Sequence, residues 1–244
     1  MSSAFWINWC NLADARRDEY LAWLHDTYIP KVLARPGVLG AAHYASVEKP
    51  PMPRQGRLKA TPDAAVPNGD RYILIFGAEN PYIFVDPTPA EFHASLTERD
   101  RAMLALRVSE RTNIMMEEGV VIGPEGKDRT DPMAFSAAIQ LGSWNARDYR
   151  DEDDQAAWYA RSRLPLCMGT MPGCVATRKL ISVSGWAKHA CFYEFTSIEA
   201  RNENYMKHDE TNPDMAAWTD RVVRRLDHAP GSPNLARRIW PPVS

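Results

Sequence analysis

The chain has 244 residues, 45% of them hydrophobic, which is enough to bury a core and excludes intrinsic disorder. Its 29 basic and 31 acidic residues leave a formal net charge of -2, too weak a field to gather nucleic acid or an anionic membrane surface. No stretch approaches the ~20 apolar residues that span a bilayer, and no basic-then-apolar leader opens the chain. The expectation is a cytoplasmic protein that meets a small-molecule substrate and copies of itself.

A strand-like run, AFWINWCNL, starts at Ala4. A helix is expected to begin near Asp14, whose carboxylate suits a cap, and it carries Leu21, Leu24, Tyr28 and Val32 on one face. Pro30 lacks an N–H and should kink or restart that helix, and Pro36-Gly37 should end it and turn the chain into VLGAAHYASV. From Glu48 to Asp70 the sequence is proline-rich and aperiodic, which predicts a mobile surface segment or a lid before the strand RYILIFG. The aromatic stretch ENPYIFVDPTP follows, placed to cover a pocket. A helix TPAEFHASLTERDRAMLAL with Thr88 as cap, and a closing strand TNIMMEEGVVI, complete this part.

The same order then returns. AFSAAIQLG from Ala134 is a second opening strand, and Trp158 to Leu180 lines up with Trp23 to Tyr44 after one inserted residue. Trp23 matches Trp158, Pro30 matches Pro165, and Pro36-Gly37 matches Pro172-Gly173. The strand HACFYEFTS, a helical region from Ile198 to Leu226 interrupted near Asn212-Pro213, and the strand LARRIW follow. The fold class expected is α+β: two tandem ferredoxin-like halves, 1–128 with long insertions and 129–244, forming a dimeric α/β barrel type structure.

The stretch DEYLAWLHDTYIPKVLARPGVLGAAHY resembles the first helix and second strand of the dimeric α/β barrel superfamily. That group includes proteins similar to those of ethyl tert-butyl ether degradation, antibiotic-biosynthesis monooxygenases, muconolactone isomerases and polyketide cyclases. The resemblance implies two four-stranded sheets packed into a barrel, with a ligand pocket between each sheet and its own helices. Many relatives carry a histidine two residues before the motif proline; here Tyr28 and Arg163 hold those positions, so no family histidine role transfers. The scaffold hosts many reactions and selects none.

His25 and Tyr28 lie three apart on the first helix and share a face with Leu21, Leu24 and Val32. An imidazole in a mostly apolar pocket moves protons at neutral pH, and a phenol hydrogen-bonds a carbonyl or enolate oxygen. His43 and Tyr44 are strand neighbours that face opposite ways, and His43 is expected in the pocket. The catalytic candidates are therefore His25, Tyr28 and His43, with Tyr72, Trp23 and Tyr44 as substrate-binding candidates. Each has an ordinary reading too, as a packed side chain with its polar atoms satisfied. The second half has Ala160, Arg163 and Lys179 at the positions of His25, Tyr28 and His43. It offers instead Arg161, Arg163 and Arg178 for a carboxylate, beside Tyr193 and Glu194; a structural ion pair is the common outcome for such a Glu.

Cys10, Cys167, Cys174 and Cys191 form no CxxC pair and none stands at zinc-ligand spacing from a histidine. They read as buried free thiols. His208-Asp209-Glu210, His93 and His228 are ambiguous: the His-Asp-Glu run could ligate a metal or haem but reads better as an exposed polar turn, and neither metal nor cofactor is expected. Phosphate loops, nucleophile elbows and HExxH are absent from the sequence. The function expected is a cofactor-independent enzyme, an isomerase, cyclase or lyase of catabolic type, that transfers a proton on a small apolar or aromatic carbonyl compound in the first half. The alternatives are a non-catalytic small-ligand-binding or stress-associated protein, and a haem-binding protein.

Overall fold

Strand β1 (Ala4–Leu12) carries two apolar sets in alternation, Phe5, Ile7 and Trp9 on one side and Trp6 and Leu12 on the other, and both sets are buried. A strand apolar on both faces needs cover on both. The structure, a computed structural model, describes residues 3–50, 58–210 and 213–243, without the side chains of residues 167, 206 and 208–210. In it β1 is joined by β2 (Val38–Ser46), β4 (Tyr72–Ala78), β5 (Arg107–Ile122), β6 (Ala138–Ala146), β7 (Cys174–Gly185), β8 (His189–Phe195) and β10 (Asn234–Trp240). They run β2-β4-β1-β5-β7-β8-β6-β10, all neighbours antiparallel, and β10 pairs back onto β2 to close an eight-stranded barrel.

The order within each half is fourth, first, third, second strand: β5-β1-β4-β2 and β10-β6-β8-β7. This is the ferredoxin-like order, made twice. The halves join through two seams, β5 with β7 and β10 with β2, so one chain closes the barrel without a partner. Inside it lie Phe5, Ile7, Trp9, Tyr44, Ile75, Met115, Leu141, Leu180 and Phe192. Between the first-half sheet and its helices lie Trp6, Tyr20, Trp23, Leu24, Tyr28, Leu74 and Phe76.

The proline motif acts alike in both halves. Helix α1 (Arg17–Trp23) passes through a π-helical turn, Leu24–Tyr28, into α2 (Ile29–Leu33), where Pro30 enters in the first turn. Helix α6 (Asp151–Trp158) continues as the π-helical segment Tyr159–Met168, which contains Pro165. A proline cannot donate to the carbonyl four residues back, and the wider turn accommodates it. Gly37 and Gly173 then take φ of +85° and +81°. A Cβ on Gly37 would stand 2.5 Å from Ile83 Cδ1, and one on Gly173 would stand 2.8 Å from Ala200 Cβ. Glycine is therefore required twice over, by backbone and by space.

Several boundaries differ from expectation. Asp14 opens a short 3-10 turn and makes no side-chain cap. The helix expected after Thr88 is two helices: Thr88 caps α4 (Pro89–Ser95) in a reciprocal box with Glu91, and Thr97 caps α5 (Glu98–Leu104) by accepting from Asp100 N. Strand β6 starts at Ala138, four residues after Ala134, because Met133 and Phe135 turn into the barrel interior, with Phe135 edge-on to Phe5 at 6.5 Å. The ENPYIFVDPTP stretch forms α3 (Tyr82–Val85), whose buried Phe84 closes over Trp6 at 5.9 Å. Of the Glu48–Asp70 excursion, residues 51–57 lie outside the described residues. Beyond them β3 (Lys59–Ala60) pairs with β9 (Leu226–His228) of the other half. The last helices are α7 (Ile198–Glu210) and α8 (Pro213–Val223). Cys10, Cys174 and Cys191 are buried free thiols, and the Cys167 side chain lies outside the description. Among the described residues no helix is long and apolar enough to cross a membrane.

Candidate functional site

Alternation on β2 sends Ala42 and Tyr44 into the barrel and His43 toward the first-half helices. The π-helical turn brings His25 over that strand, and His25 Nε2 lies 2.9 Å from His43 Nδ1. His43 is 1% exposed, while His25 is partly open to solvent. Trp240 sits opposite His43 in the β10–β2 seam, and its ring stacks on His25 at 6.1 Å and 25°. On the other side Tyr72 lies against His43 at 5.6 Å.

Burial lowers the pKa of His25 and drives that of His43 well below the ordinary value, to which the neighbouring His25 and Arg107 add. Both rings are neutral at pH 7, and one proton bridges them. When His25 Nε2–H donates to His43 Nδ1, His25 Nδ1 holds a free lone pair. Protonation there strengthens the Nε2–H bond to His43, and the face of Trp240 favours the imidazolium.

Tyr28 is fully buried, and its hydroxyl lies 2.7 Å from His93 Nε2 on α4. Burial pushes the phenol up to about 12 and His93 down to about 4, so Tyr28 donates to a neutral imidazole. Arg107 lies under the Tyr28 ring at 5.3 Å, bonds Tyr20 Oη at 2.6 Å through Nε, and pairs with Glu110 at 2.8 Å. Asn8 also donates to Glu110, and to Thr112 at 2.9 Å. Two buried donors around this phenol, Trp6 Nε1 and Arg107 Nη2, have no acceptor among the described residues. Trp6 stands 5.8 Å from the His93 ring. The layer thus holds a proton acceptor at one side and a set of N–H and O–H donors at the other, within apolar walls.

Trp23 anchors this layer. Its Nε1 donates to Asp100 Oδ1 at 2.9 Å, and Asp100 also receives Thr97 at 2.7 Å and Lys31 at 2.5 Å. Tyr44 lies on the opposite face from His43, inside the barrel, where its hydroxyl donates to Ser136 O at 2.9 Å. A cleft of about 470 Å³ on the outer side of the helices is lined by Trp23, Lys31, Asp100 and Arg99.

The second-half candidates do not form one cluster. Arg161 is exposed. Arg163 is buried among the rings of Trp158, Tyr193 and Tyr205, at 5.8, 5.5 and 4.7 Å. Glu194 faces the barrel interior instead, where its Oε2 meets Arg178 at 2.7 Å and Arg129 at 3.0 Å. The alternation of β8 separates it from Tyr193 and therefore from Arg163. Lys179, in the place of His43, donates to His189 Nδ1 at 3.0 Å and to Glu118 at 2.9 Å.

Sequence reasoning did not find His93, Arg107, Trp6 or Trp240 as members of the site. Thr88-x-x-Glu91 marks α4 and so put His93 on a helix, but not beside Tyr28. The side chains of His208, Asp209 and Glu210 lie outside the described residues. Among those described, no group of three or more His, Cys, Asp or Glu is placed to hold a metal ion.

No family model matches the sequence and no curated protein matches it. Solved structures do share its fold over nearly its whole length. An anthrone oxidase-like protein aligns with a TM-score of 0.61 and 10% identity, covering 98% of this chain and 91% of that one. A candidate monooxygenase from Lactobacillus acidophilus NCFM aligns at 0.54 and 14%, covering 98% and 94%. A mutant chlorite dismutase from Candidatus Nitrospira defluvii in complex with cyanide aligns at 0.51 and 9%, covering 98% and 91%. At such identities the likeness is one of fold.

Proposed function

For a chain that carries the dimeric α/β barrel fold within a single polypeptide, we propose a cofactor-independent enzyme that moves a proton on a small apolar or aromatic carbonyl compound. Residues 1–128 form the working half in this reading, and 129–244 complete the barrel. His25 takes the proton from the carbon next to the carbonyl at Nδ1, and His43 and Trp240 hold the resulting imidazolium. The oxygen that gains charge accepts from the donors around Tyr28. Returning the proton to another carbon is isomerisation; attack of the enolate on a second carbonyl is cyclisation. An anthrone is an enolisable aromatic ketone, so the name of one structural neighbour falls within this substrate class. A cytoplasmic location and homo-oligomer assembly through the outer surfaces belong to the same proposal.

The observation that carries it is the 2.9 Å bond between two neutral imidazoles, one buried and one open to solvent. The test is deuterium uptake from D2O at the α-carbon of enolisable aromatic ketones, followed by proton NMR with the full chain. Uptake above the buffer rate supports the reading, and saturable binding without uptake supports the non-catalytic alternative.

The haem alternative has less support. The second-half layer between sheet and helices is filled by the Trp144–Tyr159 stack, 5.8 Å apart and 8° from parallel, and by buried Trp158, Met168 and Met171. Those residues do not fit a haem-sized plane.

A further inference from the structure

The two ends of the barrel interior treat buried cations differently. At the end marked by Phe5, Arg178 and Arg129 share the carboxylate of Glu194, and Arg178 also meets Glu117 at 3.0 Å. At the end marked by Trp9, four residues further along β1, Arg111 is 4% exposed and, among the described residues, has no carboxylate partner. Its guanidinium carbon lies over the Trp9 ring, 3.8 Å from the centroid. Two of its N–H groups are used, toward Trp186 O at 3.0 Å and Ser143 Oγ at 3.2 Å. Among the described residues its Nε has no acceptor, nor has Trp9 Nε1, and both atoms are buried. Burial pushes Arg111 down to about 9, which leaves it charged at neutral pH.

A buried charge is costly unless an opposite charge offsets it, and buried N–H donors are nearly always satisfied. The face of Trp9 supplies only part of that offset. We propose that the Trp9 end of the barrel interior is a binding site for a small carboxylate-type anion, held by Arg111 Nε and Trp9 Nε1. The anion supplies both the missing acceptors and the missing charge. Asn113 and Ser182, hydrogen-bonded to each other at 2.8 Å, make that end polar enough to take it. This site lies on the opposite face of the sheet from His25 and does not depend on the reaction there.

The test is a titration of the full chain with sodium acetate against sodium chloride at equal ionic strength, read by calorimetry and by thermal unfolding. Acetate is expected to bind saturably and raise the Tm beyond any effect of chloride. Arg111→Met should abolish the acetate response. Trp9→Phe keeps an aromatic ring under Arg111 but removes the donor, and should raise the Kd roughly tenfold, the worth of a hydrogen bond to a charged group. If Arg111→Met does not fold, the Trp9→Phe titration decides. Absence of saturable acetate binding, an unchanged Kd in Trp9→Phe, or a crystal structure at saturating acetate with only water on the two donors would each overturn the assignment.

Discussion

His25 Nε2 reaches His43 Nδ1 across the gap between the first helix and β2, at 2.9 Å. Since both pKa values are lowered, the working form of His25 is neutral above its ordinary value near 6.5 and is lost as pH falls through the depressed one. The rate should therefore be flat from neutral pH upward until other groups intervene, with an acid limb below 6.5. His43→Gln keeps an acceptor of similar reach and should retain most of the rate, whereas His43→Phe should lose roughly tenfold in kcat with little change in KM. A pH–rate series on the three proteins checks this.

Stability should depend on pH in the same direction. His93, His189 and His228 are held down to about 4, mainly by burial, and burial also holds His43 well below its ordinary value. The unfolded chain binds these protons more readily, so stability is full above pH 6.5 and drains away as pH falls toward 4. Buried His228 contributes on the order of 3 kcal/mol over that window. Urea unfolding at pH 7 and pH 4.5 measures it, and His228→Gln should flatten the difference.

The two Pro-Gly turns should be equally intolerant of a side chain. Gly37→Ala and Gly173→Ala each force a positive φ on alanine and drive a Cβ into Ile83 or Ala200. Each should cost about 1–3 kcal/mol. Loss of Tm in both variants, with an Arg161→Ala control unchanged, is the expected result.

Inside the barrel Glu194 is 0% exposed and balances Arg178 and Arg129. Glu194→Gln leaves Arg129 without its charge partner and Arg178 with Glu117 alone, and should destabilise the fold by about 3 kcal/mol. It should leave the ligand affinity of the His25 layer unchanged, since it lies across the sheet. Urea unfolding and a ligand titration separate the two effects.

Much of this architecture was readable from local sequence. Pro30 with Gly37 and Pro165 with Gly173 recur because each half must widen a helix around a proline and then turn at positive φ, and both demands are local. The alternation in AFWINWCNL likewise announces two buried faces. The Ala-Phe pair at Ala134 misled because Phe135 fills the barrel rather than opening a strand, and nothing nearby in the sequence distinguishes the two. The His25–His43 contact was accessible, since helix and strand periodicity both point those rings into one layer. The Tyr28–His93 bond spans 65 positions and the Trp240 contact depends on the register of a seam strand, so neither has a local signal.

The central claim is that His25 is the base, and deuterium exchange at the α-carbon of an enolisable aromatic ketone tests it most directly. For each ketone, wild-type chain and His25→Gln are compared in D2O at pH 7.5, with binding measured in parallel. Wild type should exchange the α-proton, and His25→Gln should bind with similar affinity yet lose on the order of 10²-fold or more in exchange rate. Exchange that survives His25→Gln at the wild-type rate would contradict the account.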